Sequence, residues 1–478
     1  MPNSVENVLS KPIAWKNWHH DATVRQLLRS MQANILKGHG REHTRNIFLS
    51  FAGAKTDALK AVVRRIGREM PSALDQLEAA EHFKATGQSG GPVICFFLRP
   101  GGYLALGASA MQPTDTAFIA GMQVRGPGGA VSPPINDPAL LDWQKEFRTS
   151  IDAMLLIGGD SEAEAKHVAT SWITRLKAAG ATVLIDQPGT AIKRKVSGQF
   201  EGVEHFGYVD GRSQPLILGE DVEREPRAHW DPAFSPSQFL VKDPGDDRPT
   251  SFGSFFVFRK LEQDVKSFKA REKQLAAALG LTGPFEERAG ALMVGRFEDG
   301  SPVVLDPLPT DMPPLNDFNY RSDEQGSRCP FVAHIRKTNP RGESPFHIAK
   351  NFGVGTTVHD ERGHIMVRRG ITYGKRTYDE TTNDFTDQPS KDVGLLFMAY
   401  MSSIENQFEF TQATWANNAN FVTTGVGVDP VIGQGPAAAI SITDGWSGAH
   451  TDFDFGRFVT LKGGEYFFAP SRDFLKGV

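Results

Sequence analysis

The sequence predicts an α+β protein of two domains, each a β-sheet covered on one face by helices. Three observations carry this expectation. Short runs rich in Phe, Val and Ile alternate with amphipathic stretches in strand–helix–strand order. The same rhythm occurs in each half of the chain, and a Pro- and Asp-rich stretch, 221–250, separates the halves. The expected domains are therefore 1–220 and 221–478.

In the first half, RNIFLSFAG (45–53) reads as a strand. In TDALKAVVRRIGREM (56–70), Leu59, Val62, Val63 and Ile66 recur at the spacing of one helix face, with Thr56 or Asp57 available as a cap. PVICFFLRP (92–100) and YLALGA (103–108) read as further strands joined by the Pro-Gly-Gly turn at 100–102. AEAKHVATSWITRLKAAG (163–180) is an expected helix, and ATVLIDQPGTAI begins another strand. In the second half, SFFVFRKL (254–261), LLFMAYM (395–401) and GGEYFFAPS (463–471) are expected strands. DVKSFKAREKQLAAALG (264–280) and IENQFEFTQATW (404–415) are expected helices. The proline-rich segment 300–330 is long enough to suggest a functional or mobile loop.

Composition excludes several function classes. Of 478 residues, 40% are hydrophobic and 23% charged, the balance of an ordinary globular protein. A formal charge of −4 gives no electrostatic case for a nucleic-acid or anionic-membrane partner. No apolar run approaches the roughly 20 residues that cross a bilayer. Cys95 and Cys329 lie outside any CxxC or CxxCH pattern, which argues against a disulfide framework, thiolate zinc and covalently attached haem. The first residues show no apolar signal region, so the expected location is cytoplasmic. Self-association into a homo-oligomer stays open.

Three segments carry candidate chemistry. FGYVDGRSQP (206–215) sets Asp210 between Gly207 and Gly211, which suits either a capped turn or an acid brought close to a ligand. In RCPFVAHIRKTNPR (328–341), His334 follows an apolar run and precedes Arg336, Lys337 and Arg341. That ring is either a core histidine or a ligand of haem iron or another transition metal, and the cations either face solvent or hold anions. In HIMVRRGITYG (364–374), two arginines sit between apolar residues and a glycine, where a buried guanidinium needs a partner.

Jointly, GxxDG, then HIRKTNPR, then RRGxxYG, in that order, resemble the dye-decolourising peroxidase family. NILKGHGREHTRNIFLSF near the start, GLLFMAYMSSIENQFEFTQATW and GGEYFFAPS extend the resemblance over nearly the whole chain. It is closest to the longer cytoplasmic bacterial members. The resemblance implies two ferredoxin-like domains, each an antiparallel sheet with packed helices, and one haem b per chain held mainly by the second domain. It implies His334 as the axial iron ligand, Asp210 as the distal acid and Arg368 as the distal arginine, with Arg369 the alternative one position on. Gly211 would let the backbone approach the haem, Arg336 and Arg341 would meet its propionates, and Glu405 would accept from the other ring nitrogen of His334. The implied activity is haem-dependent oxidation of dyes, phenolics and similar aromatic donors by hydrogen peroxide, through a ferryl porphyrin radical. Two rivals stand beside it. One is a haem-binding, storage or deferrochelatase-like protein without turnover; the other is a haem-free α+β interaction protein in which His334 is structural.

Overall fold

The computed structural model describes residues 4–128, 131–313, 315–435 and 438–478. The first half contributes β1 (His43–Ser50), α1 (Thr56–Glu69), β2 (Val93–Leu98), β3 (Ala153–Gly159), α2 (Glu162–Ala178) and β4 (Thr182–Thr190). The second contributes β5 (Phe252–Gln263), α3 (Val265–Ala278), α4 (His334–Thr338), β6 (Ile371–Tyr373), β7 (Gly394–Met401) and β8 (Val459–Ala469). The strands run β6-β7-β5-β8-β2-β3-β1-β4 in one sheet whose described pairings are antiparallel. Each half thus repeats the order fourth–first–third–second, the ferredoxin-like arrangement. The halves meet where β8 lies beside β2, with Phe468 opposite Leu98. At the far ends the outer strands approach each other, and the Ile192 amide donates to Thr372 Oγ1 at 3.2 Å.

Side-chain burial explains these elements. All six residues of β2, VICFFL, are buried, as a strand covered on both faces requires. Leu59, Val63 and Ile66 form the buried stripe of α1. Ser161 caps α2 and Asp264 caps α3 by accepting from the amides of Glu164 and Ser267. One apolar core runs across both halves, because Phe97 of β2 stacks on Phe256 of β5 with centroids 4.1 Å apart. A second core gathers Phe268 and Leu275 of α3 with Leu292, Phe297 and Phe455.

Two expectations change. YLALGA is not a strand: Pro100–Ala105 is a helix with proline in its first turn, where the missing N–H costs nothing. Tyr103 and Leu106 are fully buried while Leu104 is 70% exposed, the three-residue spacing of a helix face rather than alternation. The predicted helix 404–415 is wound wider than an α-helix, as π turns over Ile404–Glu409 and Thr411–Ala416. The described part of 300–330 is locally braced, since the Asp323 carboxylate accepts from the amides of Ser327, Arg328 and Cys329. No helix among the described residues is long and apolar enough to cross a membrane.

Candidate active site

The segment after β4, α4 and the approach to β6 converge on a cavity of about 590 Å³. Asp210, Gly211, His334, Arg341, Arg368 and Arg369 all line it, so three segments far apart in sequence share one space.

His334 opens α4 and is partly exposed on the cavity. Its Nδ1 lies 2.8 Å from Asp429 Oδ2. Asp429 is fully buried, and its Oδ1 accepts from the amides of Val431 at 2.8 Å and Ile432 at 2.9 Å. Burial works against the charged carboxylate, but the His334 ring and the two amides outweigh it and hold the group below the usual range. A carboxylate that only accepts fixes Nδ1 as the protonated nitrogen and leaves Nε2 with a free lone pair.

The turn bearing Asp210 is shaped by glycine and by a buried acid. Gly207 and Gly211 have φ of 103° and 78°, the left-handed region that other residues enter at a cost. The Glu204 carboxylate accepts from the amides of Phe206 at 2.9 Å and Tyr208 at 3.0 Å, closing the loop from below. Burial pushes Glu204 up to about 7, against the pull of those amides and of Gln263. Asp210 is itself exposed and accepts from the Gly211 amide at 2.6 Å.

The two arginines of RRG diverge. Arg368 stands on the short strand Val367–Arg368 beside β7 and donates to the Arg212 carbonyl at 2.7 Å. Burial depresses its guanidinium, and the charge of Asp210 pulls the other way. Arg369 spends its donors on the carbonyls of Asn34, Ile35 and Arg368. Arg368 is therefore the one coupled to the acid.

A second pair of cations lies on the wall. Arg341 and Arg296 both donate to Ser213 Oγ, at 2.8 and 3.0 Å, and otherwise to the carbonyls of Asn316, Phe318, Gly300 and Leu315 and to the Asn316 side chain. Neither has a carboxylate partner among the described residues. Burial lowers Arg296 to about 9, with Arg341 adding repulsion, and lowers Arg341 to about 10. Two stranded cations beside an imidazole with a free nitrogen form a donor set that fits haem: one neutral ligand for iron and two charges for its carboxylates.

No family model matches the chain. The multifunctional dye peroxidase DyP2 of Amycolatopsis sp. is 41% identical over 486 aligned positions, spanning 98% of this chain and 99% of its own. The chain belongs to the dye-decolourising peroxidase family. Among solved structures, the DyP-type peroxidase AnaPX of Anabaena sp. superposes with a TM-score of 0.88 at 36% identity, over 99% of both chains. Peroxidase 2 of Mycetinis scorodonius is 32% identical over 77% of this chain and 73% of its own. This dye-decolourising peroxidase is thus a haem-dependent enzyme with the two ferredoxin-like halves that its motifs implied.

Two expected site residues lie elsewhere. Arg336 does not face the cavity: its guanidinium is fully buried between Asp323 and Glu343, 4.5 and 4.4 Å from the rings of Tyr320 and Phe331. On a helix, His334 and Arg336 point some 200° apart, which separates them. Glu405 does not accept from His334; it pairs with Arg125 at 2.7 Å, and Asp429 holds the imidazole. Sequence reasoning missed Asp429, Arg296 and Glu204. Asp429 carried a weak signal as a lone acid in GVGVDPVIG, a glycine- and proline-bounded apolar run like the one around Asp210. Arg296 and Glu204 carried none.

Proposed function

We propose that this enzyme binds one haem b per chain in the 590 Å³ cavity and uses hydrogen peroxide to oxidise dyes, phenolics and similar aromatic donors. The observation that carries the reading is the shared cavity: His334, backed by Asp429, lies in the same space as Asp210 and Arg368. Relatives named as dye peroxidases, DyP2 of Amycolatopsis sp. and msp1 of Mycetinis scorodonius, support the substrate class. In this reading His334 Nε2 would hold the haem iron, and Arg296 and Arg341 would hold its carboxylates. The second half, 221–478, supplies most of the haem contacts, and 1–220 supplies Asp210.

Haem bound there supplies an iron that takes peroxide and two oxidising equivalents. The residues manage protons and charge around it. Asp210, whose carboxylate lines the cavity, would take a proton from peroxide and return it to the leaving oxygen as a general acid–base. Arg368, buried on the cavity wall, would stabilise negative charge developing on peroxide there. Asp429 holds His334 Nδ1–H and raises the electron density that Nε2 gives the metal. A cytoplasmic location belongs to the same reading, supported by the two unpaired, buried thiols Cys95 and Cys329.

The test is spectroscopic. Haem reconstitution should give a Soret band at one equivalent, and one equivalent of peroxide should change it before dye bleaching begins. His334→Ala should lose or sharply weaken haem binding. A Soret band without turnover would favour the storage reading, and an unchanged spectrum in His334→Ala would assign the ligand elsewhere.

A further inference from the structure

Lys337 lies three residues after His334 on α4, and its side chain is fully buried. Lysine in that setting ordinarily meets a carboxylate. Among the described residues no carboxylate lies within ion-pair distance of it. Its Nζ donates instead to three carbonyl oxygens: Trp415 at 3.1 Å, Asn418 at 2.7 Å and Phe421 at 3.4 Å. These carbonyls belong to the last turn of Thr411–Ala416 and the loop leaving it. Helix ends of this polarity collect negative partial charge, which suits an ammonium.

The same helix end carries the partner of His334. The Asp429 amide donates to the Ala416 carbonyl at 2.8 Å, next to the Trp415 carbonyl that Lys337 holds. Gln412 Nε2 donates to the Ile432 carbonyl at 2.9 Å, and the Gln434 amide donates to Asn417 Oδ1 at 2.7 Å. The segment 429–434 is therefore docked on 412–417, and Lys337 hydrogen-bonds 415–421 to α4.

We propose that Lys337 is a positioning residue for the proximal side of the haem: it ties the helix end at Trp415–Phe421 to the helix of His334, and so sets the Asp429 carboxylate against His334 Nδ1. The proposal rests on the reading of His334 as iron ligand. Its physical content is the geometry of one hydrogen bond. Without the ammonium, the buried Trp415 and Phe421 carbonyls lose its N–H donors, the Asn418 carbonyl keeps only the Phe421 amide, and the helix end shifts to find others. Asp429 is bonded to that end through its own amide and moves with it. The His334–Asp429 bond then lengthens, and His334 becomes a weaker electron donor to iron.

Ferrous holoenzyme reports this bond through the iron–histidine stretching band in resonance Raman. Lys337→Met, nearly isosteric and uncharged, should shift the band down in the direction of Asp429→Asn, by less than that variant does. Lys337→Arg, which keeps charge and donors, should restore part of the shift. Asn417→Ala cuts the docking of Gln434 without touching the buried charge. It should move the band the same way, and it keeps the idea testable if Lys337→Met does not fold. His334→Ala separates the two layers. A wild-type band in that variant removes the ligand reading. Loss of the band there, with an unmoved band in Lys337→Met and Asn417→Ala, overturns the positioning role alone.

Discussion

His334 and Asp429 are 95 positions apart in sequence and 2.8 Å apart in space, the imidazole donating and the fully buried carboxylate accepting. Among the described residues, His334 is the hydrogen-bond partner of Asp429 Oδ2 and no other is found. Its Oδ1 is fixed by two consecutive amides, so the carboxylate is aimed before any ligand arrives. Partners of this kind are worth about 10- to 100-fold in metal affinity or activity when removed. Asp429→Asn should therefore keep the fold, weaken haem retention or peroxide turnover by that order, and lower the iron–histidine stretching frequency. Retention and turnover within twofold of wild type would leave the pair without a function at the metal.

Asp210 and Arg368 should fail differently. Removing a positioned proton carrier costs typically 10²- to 10⁴-fold. Removing one preorganised charge aimed at a developing anion costs about 10²- to 10³-fold. Asp210→Asn should slow the bimolecular reaction with peroxide by the larger factor, and Arg368→Leu by the smaller, with haem content unchanged in both. Arg369 donates to three backbone carbonyls, so Arg369→Leu should appear in thermal stability before it appears in peroxide kinetics. Stopped-flow reaction of each holoenzyme with peroxide measures the order.

What could be read from the sequence follows from how each signal is carried. Elements whose burial repeats with a local period were legible: the stripe of Leu59, Val63 and Ile66, or the unbroken apolar run of β2. YLALGA was misread because apolar residues were counted without their direction. Leu104 faces solvent while Tyr103 and Leu106 face in. Among the site residues, Asp210, His334 and Arg368 lie in segments whose glycines and apolar flanks mark unusual backbone. Asp429 reaches His334, and Arg296 reaches the cavity, through tertiary packing: only the lone acid in GVGVDPVIG weakly marks the first, and no local pattern marks the second. Arg336 shows the opposite error: proximity in sequence to His334 suggested the cavity, but the helix turns it into an ion-pair cluster.

Glu204 should give the fold a measurable pH dependence near neutrality. Burial pushes its folded-state pKa up to about 7, whereas an unfolded glutamate titrates near 4.5. Between those values the folded state holds a proton that the unfolded state has released, so stability falls as pH rises through the window. Glu204→Gln cannot titrate. The melting temperature of the wild type should therefore decline relative to Glu204→Gln from about pH 4.5 to 7, and the gap should stay constant above that. A gap that does not change across the window would show that the amides of Phe206 and Tyr208 keep the carboxylate charged throughout.

The last prediction separates two arginines of one motif, HIRKTNPR. Arg336 is paired with Asp323 and Glu343 inside the protein, and taking away one member of such a cluster leaves uncompensated buried charge. That costs about 3–5 kcal/mol. Arg336→Met should lower the denaturation midpoint of apo- and holoprotein alike, with haem affinity nearly unchanged in whatever remains folded. Arg341 holds carbonyls and Ser213 Oγ but no carboxylate, and it lines the cavity. Hydrogen bonds to a charged group contribute roughly 1.5–3 kcal/mol, or about 10- to 100-fold in binding. Arg341→Ala should thus weaken haem affinity by that order, and the loss should be smaller for a haem whose propionates are esterified, since the wild type also loses that contact. Haem titration of both variants with native and dimethyl-ester haem decides between them: selective loss of haem affinity in Arg336→Met would return that residue to the cofactor site.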